Sequence, residues 1–182
     1  LIKEGNYGAG CGASVGKLLG FEHAMKSGAG YAEIILPDGL AVGTYMAVNA
    51  CGEIYDQDKI LAGALADDDR TIISSHRLML EGYERNMGGN TSIGCIITNA
   101  DLTKTECRMV STMAHDGLAR SIRPVHTSMD GDTLFTMASG EVKTTIDTVG
   151  YLAEEAVRLA VLDAAASAEG MGGRPAYRDI IK

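Results

Sequence analysis

Apolar and polar positions along this chain follow two rhythms, and a third stretch follows neither. Tyr31 to Leu36 and Leu40 to Asn49 are apolar runs rich in β-formers, separated by Pro37-Asp38-Gly39. Proline presets φ and glycine accepts positive φ, so the pattern predicts a hairpin. Thr91 to Asn99 carries Ile93, Cys95, Ile96 and Ile97 with no polar face, which predicts a strand buried on both sides. Thr103-x-x-Glu106 is a capping box and predicts a helix start. Val110, Met113, Ala114, Gly117 and Leu118 give that helix one apolar face, and Pro124 closes it. Thr133 to Ala138 reads as the next strand. A long helix is predicted from Thr145 to Ala168, with a stripe of Val149, Leu152, Ala153, Ala156 and Ala160 and an i,i+4 pair of Glu154 with Arg158.

Elsewhere the periodicity fails. Residues 5–17 are glycine-rich and irregular, 17–27 suit a short helix, and 58–66 suit a small helix or turn ending in Asp67-Asp68-Asp69. Over 70–90, Arg70, His76, Arg77, Glu81, Glu84, Arg85 and Asn86 break any stripe, and Gly88-Gly89 ends the segment. This predicts an exposed tail with a frayed helix over 74–84. Beyond Gly170, Gly172 and Gly173 a loose tail is expected. The chain thus divides into 1–90 and 91–182, read as two parts of one domain. Strands followed by strand-helix-strand-helix predict a layered α/β architecture, with amphipathic helices covering the buried strands.

Composition narrows the function. A formal charge of −8 argues against nonspecific nucleic-acid binding, which needs phosphate-neutralising Lys and Arg. No apolar run reaches the ~18 residues of a membrane span, so no membrane partner is expected. Cys11, Cys51, Cys95 and Cys107 form no C-x-x-C pair. They read as reduced, mostly buried thiols of a cytoplasmic protein, without a structural zinc site. The chain begins at Leu1 rather than Met, as a processed or truncated product does.

The candidate chemistry centres on Asn90-Thr91. A threonine hydroxyl needs a base, and an N-terminal threonine carries one in its own α-amine, with a pKa near ~8. In an uncut chain the same hydroxyl can attack the preceding carbonyl, and Gly88-Gly89 gives the backbone the freedom to reach that geometry. The plainer reading is that Thr91 starts a strand after a glycine-rich loop. Asp130 and Asp132 are two residues apart, so in an extended segment both face one way. They suit a paired catalytic role, an exposed turn or, with His126, a divalent-ion corner. Gly8-x-Gly10-x-Gly12…Gly16-Lys17 is not a phosphate loop: Cys11 and Leu18 break the pattern. Lys17 instead suits a pocket ammonium, or a solvated side chain. Asn49 suits an oxyanion donor or a turn former. His115-Asp116 lies within the capped helix and reads as structural.

Taken together, Gly89-Asn90-Thr91-Ser92-Ile93-Gly94, Ala114-His115-Asp116-Gly117-Leu118-Ala119-Arg120, Ile122-Arg123-Pro124-Val125-His126-Thr127 and Asp130-Gly131-Asp132-Thr133 resemble the P1 family (S58-type) of self-processing peptidases. That family includes the L-aminopeptidase/D-esterases, β-peptidyl aminopeptidases and nylon-oligomer hydrolases. Gly12-Ala13-Ser14-Val15-Gly16-Lys17-Leu18 and Val48-Asn49-Ala50-x-Gly52 match as well. The resemblance implies a four-layer αββα sandwich, similar to N-terminal-nucleophile hydrolases but with distinct topology, of which this chain is a partial domain. It implies self-cleavage into an α piece ending at Asn90 and a β piece starting at Thr91. Thr91 would be the nucleophile, Asp130 and Asp132 its orienting pair, and Lys17 and Asn49 the contribution of the α piece. No cofactor or metal is expected. Substrates would be N-terminal residues of peptides, β-peptides or ω-amino-acid oligomers, and the αβ units would assemble as oligomers. The alternatives are acyl transfer of the related ornithine acetyltransferase type, and an inactive truncated fragment. Family members are longer, with further N-terminal strands.

Overall fold

The computed structural model describes residues 2–84 and 89–181. Gly88, part of the predicted approach to Thr91, lies outside the described residues. Two short strands open the fold, β1 (Ser14–Val15) and β2 (Met25–Lys26), which pair antiparallel. They are followed by β3 (Ala29–Ile35) and β4 (Ala41–Ala47), the predicted hairpin. Its turn closes as the sequence requires: Gly39 sits at φ 90 and the Leu40 N–H bonds Asp38 Oδ1 at 3.0 Å.

Next come β5 (Glu53–Asp56), β6 (Lys59–Ala62), β7 (Ala64–Leu65), β8 (Ile72–Ile73) and α1 (Ser75–Leu80). The segment 58–66, expected as a helix or turn, is therefore strand: β6 pairs with β5, and β7 with β8. Likewise 17–27 holds a 3-10 turn at Phe21–His23 and β2 instead of a helix. Both segments are too short for a helix to offset its costly first turn, and neighbouring strands satisfy their backbone groups. The frayed helix expected over 74–84 contracts to α1, capped by Ser74, whose side chain accepts the Arg77 N–H. Glu53 is buried beneath it and accepts the Ser75 N–H at 3.0 Å; burial pushes its carboxyl up to about 7.

The second half holds β9 (Ile93–Ala100), α2 (Lys104–Ser121), β10 (Ile122–Arg123), β11 (Thr133–Val142), α3 (Ile146–Ser167) and α4 (Tyr177–Ile180). The Thr103/Glu106 capping box forms as expected, and α2 stops at Ser121, ahead of Pro124. All five residues of the α3 stripe are buried. Arg158 does not pair with Glu154; it bonds Glu155 and reaches Asp56, while Glu154 pairs with Arg120 of α2. Tertiary neighbours outcompete the local i,i+4 partner. Nor is the tail loose. The Lys26 N–H bonds Pro175 O at 2.9 Å, and the Arg174 guanidinium lies 3.7 Å from the Phe21 ring centroid.

The main sheet has the order β11-β9-β4-β3, with β11 parallel to β9 and the other pairs antiparallel. A smaller sheet has the order β10-β5-β6. Helices α2 and α3 pack on one face of the main sheet, where Val42, Met46, Ile96 and Leu134 join the helix stripes in the core. The strand β9 is not buried on both faces. Gly94, Ile96, Thr98 and Ala100 point into the core, while Ile93 and Ile97 are exposed. Of the four cysteines only Cys51 is buried; Cys95 and Cys107 are half-buried and Cys11 is exposed. Among the described residues, no helix is long and apolar enough to cross a membrane.

Candidate active site

Strand register assembles the site. In the antiparallel pair of β4 and β9, Ala47 faces Ile93, so two more steps bring Asn49 beside Thr91. In the parallel pair of β9 and β11, Thr133 faces Ile93, so the same two steps bring Gly131 beside Thr91. The hydrogen bonds follow. The Thr91 N–H donates to Asn49 O at 3.0 Å, and the Gly131 N–H donates to Asn90 O at 2.8 Å. Three segments far apart in sequence thus form one row across the sheet end.

The Asn90 carbonyl oxygen lies between two donors. Thr91 Oγ1 approaches it at 2.6 Å and the Gly131 N–H at 2.8 Å. Position 131 has room only for glycine while Thr91 keeps this rotamer, since a Cβ there would lie 2.8 Å from Thr91 Oγ1. Asn90 is itself buried.

Lys17 reaches the same row from the loop after β1. Its Nζ donates to Asn49 Oδ1 at 2.6 Å and lies 3.3 Å from Asn49 O, the atom that also accepts from Thr91. The loop is pinned by Gly16 N–H to Gly52 O and Lys17 N–H to Cys51 O, at 2.9 and 2.8 Å. Gly16 has φ 73, and a Cβ there would fall 2.0 Å from the backbone of Gly63 and Ala64. This close approach is the physical reason for glycine before Lys17. Burial brings the Lys17 ammonium down to about 8; Cys51 and Asp130 oppose the shift and Arg174 adds to it. Burial also pushes the neighbouring Cys51 thiol up to about 11, so it stays protonated near neutral pH.

Asp130 and Asp132 do not converge on one point. Asp130 Oδ1 accepts the Cys51 N–H at 3.1 Å and its Oδ2 accepts the Thr127 hydroxyl at 2.7 Å. Asp132 Oδ1 accepts the Ser92 N–H at 2.8 Å and its Oδ2 lies 3.1 Å from His126 Nδ1. One carboxylate ties the site to the β4–β5 connection and the other holds the residue after Thr91. The reason is that Gly131 turns its own N–H into the site between them. No cluster of metal-binding side chains occurs among the described residues, so the divalent-ion corner does not assemble.

Lys17, Asn49, Asn90, Thr91 and Asp130 therefore share a connected hydrogen-bonded neighbourhood, and Asp132 joins it through Ser92. Sequence reasoning missed Gly131 and the Cys51 and Ser92 backbone donors, because backbone groups leave no residue-type signal. It also missed Thr127, whose three-residue spacing to Asp130 matches a local side-chain hydrogen bond.

Comparison with known proteins fits this picture. The model of Peptidase family S58 matches residues 1–178. An uncharacterized aminopeptidase of Mycobacterium leprae is 34% identical over 197 residues, covering 97% of this chain and 52% of that protein. A 6-aminohexanoate-oligomer endohydrolase of Kocuria sp. is 30% identical over 149 residues, covering 76% of this chain and 40% of that protein. Among solved structures, the L-aminopeptidase D-Ala-esterase/amidase of Ochrobactrum anthropi, a variant of the Ntn hydrolase fold, aligns with a TM-score of 0.65 at 19% identity. That alignment covers 96% of this chain and 47% of the other. The mixed α/β architecture is thus of the Ntn-hydrolase type. The chain spans about half the length of the curated relatives it matches.

Proposed function

The chain belongs to peptidase family S58, and we propose that it is an amide-bond hydrolase that activates itself by cutting between Asn90 and Thr91. One observation carries this reading: the Asn90 carbonyl is held between the Thr91 hydroxyl and the Gly131 N–H. The hydroxyl lies against the group it must attack, and the N–H is aimed at the oxygen on which negative charge develops.

The bond changes balance as follows. Thr91 Oγ1 bonds the Asn90 carbonyl carbon and gives up its proton to a base. The bond from that carbon to the Thr91 nitrogen breaks, and the nitrogen takes up a proton. The ester so formed on Oγ1 is hydrolysed by water. Asn90 becomes a C-terminal carboxylate, and Thr91 becomes an N-terminal residue with a free hydroxyl. Lys17, with its pKa near 8, is one hydrogen-bonded atom from the departing nitrogen through Asn49 O. Because that oxygen only accepts, a proton supplied by the ammonium must pass directly to the nitrogen, and a group brought down to about 8 can give one up near neutral pH.

In turnover the new α-amine acts as base for the Thr91 hydroxyl, which forms an acyl-enzyme that water resolves. Asn49 Oδ1 is engaged by Lys17 and by the Ser14 N–H, which leaves the amide N–H side to meet a substrate oxyanion. Asp130 and Asp132 hold the strand ends that flank the nucleophile. Substrates are N-terminal residues of peptides, β-peptides or ω-amino-acid oligomers, in keeping with the named activities of the relatives. We further place residues 1–90 and 91–182 in one αβ unit, such units associating as oligomers in the cytoplasm.

The test is intact mass, measured on fresh protein and after incubation at neutral pH. Two fragments meeting at Asn90/Thr91 are expected, and Thr91→Ala should remain a single chain with no amidase activity. Hydrolysis that survives Thr91→Ala would overturn the assignment.

A further inference from the structure

Asp132 is the inner end of a chain of polar side chains that leads to the surface. Its side chain is 2% exposed, whereas that of His126, bonded to it at 3.1 Å, is 38% exposed. His126 Nε2 lies 3.3 Å from His115 Nδ1 on α2, with the ring centroids 4.9 Å apart. Arg108, Ser111, Thr112 and Leu134 line an open hollow with the two rings. The backbone supplies a second, independent observation. His126 is held at φ 55, a conformation uncommon for a residue with a side chain. Such strain persists only where the surrounding structure enforces it, and here it aims the ring at Asp132.

The donors and acceptors define the array. An ionised carboxylate only accepts, so His126 Nδ1 donates to Asp132. In a neutral ring His126 Nε2 then accepts, and His115 Nδ1 donates to it. With one ring protonated the array still closes, because the second ring offers an acceptor. With both protonated, two N–H groups and two positive charges face each other across 3.3 Å, and the contact must open. The charged groups around the pair are Asp132 on the inner side, and Asp116 and Arg108 from α2. Burial pulls the His115 imidazole below its ordinary range; the His126 ring adds to this, and Asp132 and Asp116 oppose it.

We propose that His126 is the positioning residue for Asp132, and that His126 and His115 together form a proton-sensitive latch on the Asn90–Thr91 junction. The inference rests on the self-cleavage reading above. Asp132 Oδ1 holds the Ser92 N–H, directly after Thr91. The charged His126 ring keeps its bond to Asp132, but without its contact to α2 the ring and the carboxylate it holds can shift together, and with them the backbone at Ser92. The latch is closed when at least one ring is neutral and opens as acid charges the second, so cleavage rises with pH below the ordinary imidazole value of ~6.5, on the side to which burial moves His115.

The experiment follows self-cleavage by intact mass at several pH values, from about 5 to about 8, in wild type, His126→Asn and His115→Phe. Asparagine tolerates the left-handed conformation, so His126→Asn removes the imidazole and keeps the backbone. It should slow cleavage by roughly tenfold to a hundredfold and flatten the pH profile. His115→Phe keeps an aromatic ring against His126 and should flatten the profile without removing the bond to Asp132. Wild-type rate and profile in His126→Asn would overturn the latch. If His126→Asn fails to fold, an unchanged profile in His115→Phe does so instead. A wild-type chain that never cuts would defeat the self-cleavage reading itself. The array is then read separately by proton NMR of Thr91→Ala. A downfield imidazole N–H resonance, lost on adding Asp132→Asn, supports it, and absence of that resonance overturns it.

Discussion

The two faces of the main sheet are built from the same strands and similarly apolar residues, yet they meet different surroundings. On one face Val42, Met46 and Ile96 are fully buried under α2 and α3. On the other, Ile93, Ile97, Phe135 and Met137 are 46 to 56% exposed. The covered face gains its stability from close approach more than from bulk. Ala153, Ala156, Ala160 and Ala164 let α3 come down onto β3, where a Cβ at Gly30 would lie 1.9 Å from Ala160 O. Among the described residues, no layer covers the large side chains of the other face. The lesson is that hydrophobicity marks a surface as able to be buried, and only the packing partner decides whether it is.

Three substitutions test this contrast by equilibrium urea unfolding. The largest effect is expected from Gly30→Val, which drives a branched side chain into the α3 backbone. It should cost at least about 3 kcal/mol, and a loss below about 1 kcal/mol would show that α3 is not held so closely. Next, Ile96→Ala removes a fully buried side chain between sheet and helices, with an expected loss of about 2–4 kcal/mol. The smallest effect belongs to its neighbour on the opposite face. Ile97→Ala should change stability by less than about 1 kcal/mol. Equal losses for Ile96→Ala and Ile97→Ala would mean that the second face is also covered in solution, and the contrast would fail.

Much of the second half was legible beforehand. The Thr103/Glu106 box and the Val149 to Ala160 stripe depend on residues three or four apart, so helix signals are complete within one or two turns. The Pro37-Asp38-Gly39 hairpin was legible for the same reason. The first half was less so. Strands β5 to β8 are two to four residues each, too short to show a period, and are held by partners distant in sequence. The burial of β9 was misread because Ile93 and Ile97, apolar like Ile96, sit on the bare face. The candidate site divides in the same way. Thr91, Asp130, Asp132, Lys17 and Asn49 stood out as residue types able to do chemistry in a recurring motif. Gly131 did not, because its contribution is a backbone N–H.

The sequence by itself determined the two long helices α2 and α3, the main hairpin and the set of side chains from which a nucleophilic site could be drawn. All of these are written in local spacing or residue type. Only the tertiary structure decided that Asn49, Thr91 and Gly131 stand in one row, that Asp132 is backed by His126 and His115, and that one face of the sheet lies bare. The reason is register. A strand pairing one residue out of step would turn every side chain to the other face and leave the Asn90 carbonyl facing a different donor. Register is settled by contacts among segments some 40 residues apart, which no local pattern encodes.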